Sequence, residues 1–137
     1  MRVRDAMTDA VLMVGPEHTL REAARRMRAR AVGAAVVMDE QQPGPCIITE
    51  RDILSSIGAD EAPDEERVKE HLTADVVFAS PDWSLEQAAS EMVRGGFRHI
   101  VVVEGGDVAG ILSMRDIVRC WTAEGASSEL TSGAAHG

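Results

Sequence analysis

The sequence predicts a mixed α/β (α+β) fold in which two tandem β-α-β-β-α repeats pack about a pseudo-twofold axis. Residues 3–38 align with residues 68–103 without a gap. Further on, CIITERDIL at 46–54 is matched by GILSMRDIV at 110–118. Within each copy the apolar spacing alternates between that of strands and that of helices. A collinear match over most of the chain indicates a tandem duplication.

Each copy begins with a short strand, predicted near residues 11–14 and 76–79. A capping box follows, in which a hydroxyl precedes an acid or amide by three residues; the pairs are Thr19 with Glu22 and Ser84 with Gln87. This pattern predicts a helix start. Glycine at the far end predicts the helix end, at Gly33 and at Gly95–Gly96.

A hairpin and a second helix complete each copy. The predicted hairpin strands are 34–38 with 46–48, and 98–103 with 109–112. The second helix begins just after Thr49 or Ser113. We predict repeat one at 1–57, an acidic linker at 58–67, repeat two at 68–121 and a flexible tail at 122–137. A repeat of about 60 residues buries little core alone, so we expect the repeats to pack together.

Composition excludes several function classes. The net charge is −9 over 137 residues, and an acidic surface repels nucleic acid and anionic membranes. No apolar run approaches the ~20 residues of a membrane span, and MRVRDAMTDA lacks the apolar part of a signal peptide. We therefore expect a cytoplasmic protein with no nucleic-acid or membrane partner.

The reactive side chains form no catalytic or metal-binding motif. His18, His71 and His136 lack ligand spacing, so we predict no metal site. No nucleophile lies in a recognisable elbow, so we predict that the protein is not an enzyme. Cys46 and Cys120 are either two ordinary thiols or a disulfide between repeats or subunits, and the sequence leaves both open.

Two β-α-β-β-α units, each ending in apolar-x-(Thr/Ser)-x-x-Asp, resemble the cystathionine β-synthase (CBS) domain pair from about Val3 to Arg119. The resemblance implies a regulatory module that binds AMP, ADP or ATP in the cleft between the repeats. S-adenosylmethionine and NAD-type molecules are secondary candidates, and no cofactor is obligatory.

The resemblance also implies the site residues. Ribose would meet Asp52, Asp116, Thr49 and Ser113. Phosphate would meet Arg98, His99, Arg115 and Arg51. Adenine would lie among Val11, Leu12, Ala35, Val36, Val76, Val77, Ile100 and Val101.

Each of these assignments has a structural alternative. A hydroxyl followed three residues later by a carboxylate is itself a stable helix start. Arg51 and Arg115 could be solvated or paired with acids, and His99 could be a hairpin residue. The aspartates are therefore either ribose ligands or caps, and the chain is either a nucleotide sensor or an interaction module that has lost its ligand.

The two copies differ where the resemblance implies phosphate contacts. Gly33 and Ala34 stand where copy two has Arg98 and His99. In the family, a nucleotide held by one repeat's aspartate commonly turns its phosphates toward basic residues of the other repeat. A nucleotide on Asp52 would then face the more basic set, so we expect one tight site per chain. Cys46, where copy two has Gly110, could crowd that site.

The second helices carry apolar side chains that the repeat pair cannot all bury. They are Ile53, Leu54, Ile57, Ile117, Val118 and Trp121. Family members commonly pair through such helices, so we expect a homodimer. The chain ends in a short polar tail, so we expect its output to act in trans, on an effector protein that the sequence does not identify.

Overall fold

The computed structural model describes residues 1–132. Its elements, in chain order, are α1 (Val3–Ala6), β1 (Met13–Val14), α2 (Leu20–Arg30), β2 (Ala34–Val37), β3 (Cys46–Thr49), α3 (Glu50–Gly58), a 3-10 turn (Val68–Glu70), β4 (Phe78–Ala79), α4 (Leu85–Gly95), β5 (His99–Glu104), β6 (Asp107–Ser113) and α5 (Met114–Ser132). They form two compact units. The first unit is residues 10–77, and the second unit is residues 1–9 with the residues from 78 onward. The predicted mixed α/β class is confirmed.

The first unit contains a three-stranded sheet in the order β1-β2-β3. β1 runs parallel to β2, and β2 runs antiparallel to β3, with Ala34 opposite Thr49. Every second residue of β2 and β3 enters the hydrophobic core under α2, because side chains alternate along a strand. The core residues include Leu20, Ala23, Met27, Ala35, Val37, Cys46 and Ile48.

The second unit repeats this arrangement in the order β4-β5-β6. Its hairpin closes with a two-residue turn between Glu104 and Asp107. Gly105 and Gly106 have φ of 61° and 85°. Two consecutive positive φ angles suit the turn that joins twisted antiparallel strands, and glycine adopts them without strain.

The helix starts agree with the predicted caps. The Thr19 hydroxyl accepts a hydrogen bond from the Glu22 amide at 3.1 Å, and Ser84 accepts one from Gln87 at 3.0 Å. α4 ends at Gly96 with φ of 70°, as predicted. The prediction for α2 was wrong by two residues, because Ala31 adopts the left-handed conformation that ends the helix.

Each unit contains a short segment from the other repeat, which we call its docking segment. It is the 3-10 turn Val68–Glu70 in the first unit and residues 1–9 in the second unit. In the first unit, the Val68 amide donates to the His18 carbonyl at 2.8 Å. In the second unit, Val3 donates to Trp83 at the same distance. Both valines are fully buried. The compact units therefore do not coincide with the sequence repeats, and the predicted repeat boundaries remain a prediction.

The predicted acidic linker packs against α2. The Leu20 and Arg21 amides, which the helix itself leaves without partners, donate to the carbonyls of Glu66 and Pro63. Arg21 also forms an ion pair with Asp64. Residues 58–67 thus supply backbone acceptors to the start of a helix.

The predicted tail begins inside a helix. α5 continues through the first part of the segment 122–137 and ends at Ser132. Residues 133–137, including His136, lie outside the described residues. The flexibility of this segment remains a prediction.

Gly110 provides a test of the docking segment in the second unit. A Cβ at Gly110 would lie 2.7 Å from the Thr8 carbonyl oxygen, and the Thr8 backbone is held by hydrogen bonds to Ile111. Gly110→Ala should therefore lower the free energy of unfolding by about 1–3 kcal/mol in urea titrations. Gly44→Ala is the control, because a Cβ there meets nothing within 4 Å. Equal stability of the two variants would contradict this packing.

Candidate functional site

Two strand-to-helix junctions have matching backbone geometry. The first junction comprises residues 33–34 with 49–52, and the second junction comprises residues 98–99 with 113–116. In the first, the Glu50 amide donates to the Gly33 carbonyl at 2.9 Å. In the second, Met114 donates to Arg98 at the same distance. Each bond ties the residue before the central strand to the start of the following helix.

The first junction holds Asp52 in a reciprocal cap. The Thr49 amide donates to Oδ2 of Asp52 at 2.8 Å, and the Thr49 hydroxyl donates to the same oxygen at 2.9 Å. The Asp52 amide donates back to Thr49 Oγ1 at 3.2 Å. The cap therefore uses one carboxylate oxygen, Oδ2, and fixes the orientation of the other.

The second junction repeats the cap with Ser113 and Asp116. The Ser113 amide donates to Asp116 Oδ2 at 2.9 Å, and the Asp116 amide donates to Ser113 Oγ at 3.1 Å. Asp116 is 7% exposed. Its other oxygen, Oδ1, lies 3.6 Å from Nη1 of Arg119.

The capping interpretation of both aspartates is thus observed, and it is compatible with ligand binding. A ribose diol needs an acceptor, and each cap leaves Oδ1 outside its own hydrogen bonds. The cap and ligand roles can therefore be carried by different oxygens of one carboxylate. The ribose assignments of Asp52, Asp116, Thr49 and Ser113 remain predictions.

The predicted adenine-pocket residues fall into two groups. Val11, Leu12, Val76 and Val77, which precede the first strand of each sheet, are half-buried. Ala35, Val36, Ile100 and Val101 are fully buried. Ala35 belongs to the core under α2, so its side chain is committed there and only its backbone could meet a base. Strand alternation puts Val36 on the opposite face from Ala35.

The two junctions differ in charge. Arg98 is exposed and His99 half-buried, while Arg51 and Arg115, one residue before each aspartate, are exposed. A Cβ at Gly33, the counterpart of Arg98, would lie 3.1 Å from Cδ and from Oε1 of Glu50. The acid Glu50 therefore lies beside Gly33, whose counterpart in the second junction is the cation Arg98.

Sequence reasoning missed Glu50. Its signal was present in the repeat alignment, where TERD of copy one meets SMRD of copy two. An acidic residue is ordinary in the first turn of a helix, so the sequence alone did not single out Glu50. The 3.1 Å distance from a Cβ at Gly33 to Glu50 Oε1 shows that the carboxylate lies where a side chain of residue 33 would begin.

Both cysteines are free thiols. Cys46 is 1% exposed, and its Sγ lies 3.6 Å from the Gly44 carbonyl oxygen within the core of the first unit. The expectation that Cys46 could crowd Asp52 is therefore not supported by the direction of its side chain. Burial raises the pKa of the Cys46 thiol, and the charge of Asp39 adds to the rise.

The linker brings together three side chains that sequence spacing did not connect. One ligand atom each from Glu61, Glu66 and His71 lies within 4.8 Å of the others. Local pairing accounts for the group: His71 Nε2 lies 2.7 Å from Glu66 Oε1, and the Ser56 hydroxyl donates to Glu61 at 2.8 Å. The prediction of no metal site remains a prediction.

Helices α3 and α5 each expose apolar side chains. Leu54 is 69% and Ile57 49% exposed on α3, and Val118 is 52% and Trp121 41% exposed on α5. Ile53 and Ile117, which the sequence grouped with them, are buried. Among residues 1–132, no helix is both long and apolar enough to cross a membrane.

The comparisons establish the family. The CBS domain model matches residues 3–59 and 68–122. The chain therefore belongs to the CBS domain family, and the resemblance read from the sequence is confirmed. Among its relatives, the CBS domain-containing protein YhcV of Bacillus subtilis is 33% identical over 94% of this chain and 92% of its own length. An uncharacterised relative from Methanocaldococcus jannaschii is longer, and the chain spans 46% of it.

Solved structures show the same fold. A CBS-domain containing protein from Agrobacterium tumefaciens superposes with a TM-score of 0.78 at 32% identity, covering 88% of this chain and 98% of that one. A CBS domain protein from Pyrobaculum aerophilum, solved in complex with AMP, superposes with a TM-score of 0.74 at 27% identity. That pair covers 85% of this chain and 89% of the other.

The two thiols should differ in reactivity. The thiolate is the reactive form, so the buried Cys46 with its raised pKa should react slowly at pH 8, and the half-buried Cys120 faster. Labelling of the native protein with a chromogenic disulfide should therefore show one fast thiol, and denaturation should release the second. Cys120→Ser should remove the fast phase, and its persistence would contradict the burial of Cys46.

Proposed function

We propose that this protein is a regulatory module that binds an adenine nucleotide through its two Thr/Ser–Asp junctions and reports its occupancy to a separate effector protein. It acts in the cytoplasm and performs no catalysis of its own. The observation that carries the proposal is the matching pair of caps, each of which orients a carboxylate and leaves one oxygen outside the cap. The AMP complex of the relative from Pyrobaculum aerophilum supports the adenosyl ligand class.

The ligand chemistry is consistent with these residues. A carboxylate oxygen accepts hydrogen bonds from a ribose diol. The first turn of α3 or α5 presents the positive end of the helix dipole, which favours an anion. Arg98 adds a planar guanidinium, whose fork of donors matches a phosphate. AMP, ADP and ATP therefore fit better than a neutral ligand wherever Arg98 can reach the phosphates.

The alternative is an interaction module without a ligand. It is favoured by Gly33 and Ala34, which provide no cation, and by the caps, which already explain both aspartates. A thermal-shift panel of AMP, ADP, ATP, S-adenosylmethionine, NAD and NADH separates the two. A ligand at 100 times its Kd adds about 2.7 kcal/mol to stability. No shift at millimolar concentration would favour the interaction module.

Asp52→Asn and Asp116→Asn test the ribose assignment. An asparagine oxygen can still accept the cap bond, so the unfolding free energy of the apo protein should fall by less than about 1 kcal/mol. Loss of a charge-assisted bond should weaken nucleotide binding about tenfold, more for Asp52 than for Asp116. Calorimetry measures both, with the exposed Asp75→Asn as control. Unchanged affinity combined with lost stability would make the aspartates caps alone.

A homodimer is the second part of the proposal. The exposed side chains Leu54 and Ile57 of α3, with Val118 and Trp121 of α5, would be covered by a second copy. Leu54→Glu with Trp121→Glu should therefore produce monomers of 14.7 kDa in light scattering. Val93→Glu on α4 is the control, because Val93 is 76% exposed but lies on another helix. A wild-type monomer at tens of micromolar would remove this part of the proposal.

A further inference from the structure

The two junctions can be compared position by position, because their backbones make the same hydrogen bonds. Gly33 and Arg98 each accept from the first residue of the following helix at 2.9 Å. Ala34 lies opposite Thr49 as His99 lies opposite Ser113. Differences between the side chains at these positions are therefore differences in chemistry on one backbone frame.

At the first junction a carboxylate lies where a side chain of residue 33 would begin. A Cβ built on Gly33 would be 3.1 Å from Glu50 Oε1 and 3.4 Å from Oε2. The equivalent first helical residue of the second junction is the uncharged Met114. In the second junction, the residue before the central strand, equivalent to Gly33, is the cation Arg98. Beside the start of the central strand, the first junction thus carries a negative side chain, Glu50, and the second junction a positive one, Arg98.

This inversion has a direct effect on a phosphorylated ligand. A phosphate beside Arg98 gains charge-assisted hydrogen bonds. A phosphate beside Glu50 meets a like charge, and at short range near a protein surface that repulsion is substantial. An adenosyl ligand that carries no phosphate avoids the repulsion, and a cationic one is attracted by the same carboxylate.

We propose that Glu50 is a specificity-determining residue that excludes phosphate from the first junction. On this basis the chain holds one phosphorylated adenosyl ligand, whose phosphates lie at the second junction. An adenosyl ligand whose outer end lies at the first junction is unphosphorylated, and it is neutral or cationic. The inference rests on the proposed function, since it assumes that the junctions bind adenosyl ligands.

The test is calorimetry with ATP and with adenosine on the wild type and on Glu50→Gln. We expect one tight ATP per wild-type chain. Glu50→Gln should strengthen the binding of a second ATP by about tenfold, because it removes the like charge. It should leave adenosine binding unchanged. Glu86→Gln is the matched control, since Glu86 is also an exposed acid in the first turn of a helix.

A second variant tests the other half of the charge inversion. Arg98→Ala should weaken the tight ATP while leaving adenosine binding in place. S-adenosylmethionine, a sulfonium cation, should bind more weakly to Glu50→Gln than to the wild type, because the variant lacks the carboxylate at the first junction. Opposite changes for ATP and for the cation in one variant would not arise from a merely structural role of Glu50.

The outcomes separate this inference from the proposed function. Binding of neither ATP nor adenosine to the wild type would overturn both. Binding of both ligands, with two equal ATP sites or with ATP affinities unaffected by Glu50→Gln, would overturn the role of Glu50 and leave the nucleotide module intact. An equal gain in ATP affinity from Glu86→Gln would show that net charge alone is responsible, and would also overturn that role.

Discussion

The hydrogen bond from the first helical amide to the carbonyl before the central strand is the constraint on which each candidate site depends. Glu50 donates to Gly33, and Met114 donates to Arg98. Because this bond holds a helix start beside a strand start, it brings together residues that lie 17 positions apart in the first junction and 16 in the second. The bond positions the aspartate cap beside the residue that precedes the central strand.

The caps impose a second constraint, on the carboxylates themselves. A buried carboxylate such as Asp116 is costly unless its oxygens accept hydrogen bonds. The cap supplies a hydrogen bond to Oδ2 of Asp116 and so offsets part of that cost. In the proposed function, folding and binding use different oxygens of the same carboxylate, so a capping role and a ligand role need not compete.

The sequence was sufficient for much of the fold because the local patterns of caps and apolar spacing are strong and appear in both copies. Thr19 and Ser84 were identified as caps, and the junctions after Thr49 and Ser113 were placed correctly. It was insufficient where position depends on tertiary packing. The docking of Val68 and Val3 leaves no periodic signal in the sequence. The end of α2 was predicted at Gly33, but Ala31, a residue with no preference for the left-handed conformation, adopts it and ends the helix. At the site, an acid in the first turn of a helix is ordinary, and only the structure shows that Glu50 lies beside Gly33.

The docking segments determine how the duplicated chain could be divided. Because Val3 packs with residues from 78 onward and Val68 packs with residues 10–77, each repeat carries the buried valine of the other unit. A break in the linker between residues 58 and 67 would yield two pieces, each deprived of part of its own core. Such pieces could complete their cores by exchanging segments with each other. An ancestral single repeat could have done the same by pairing with an identical copy, and the duplication would have joined the two partners in one polypeptide.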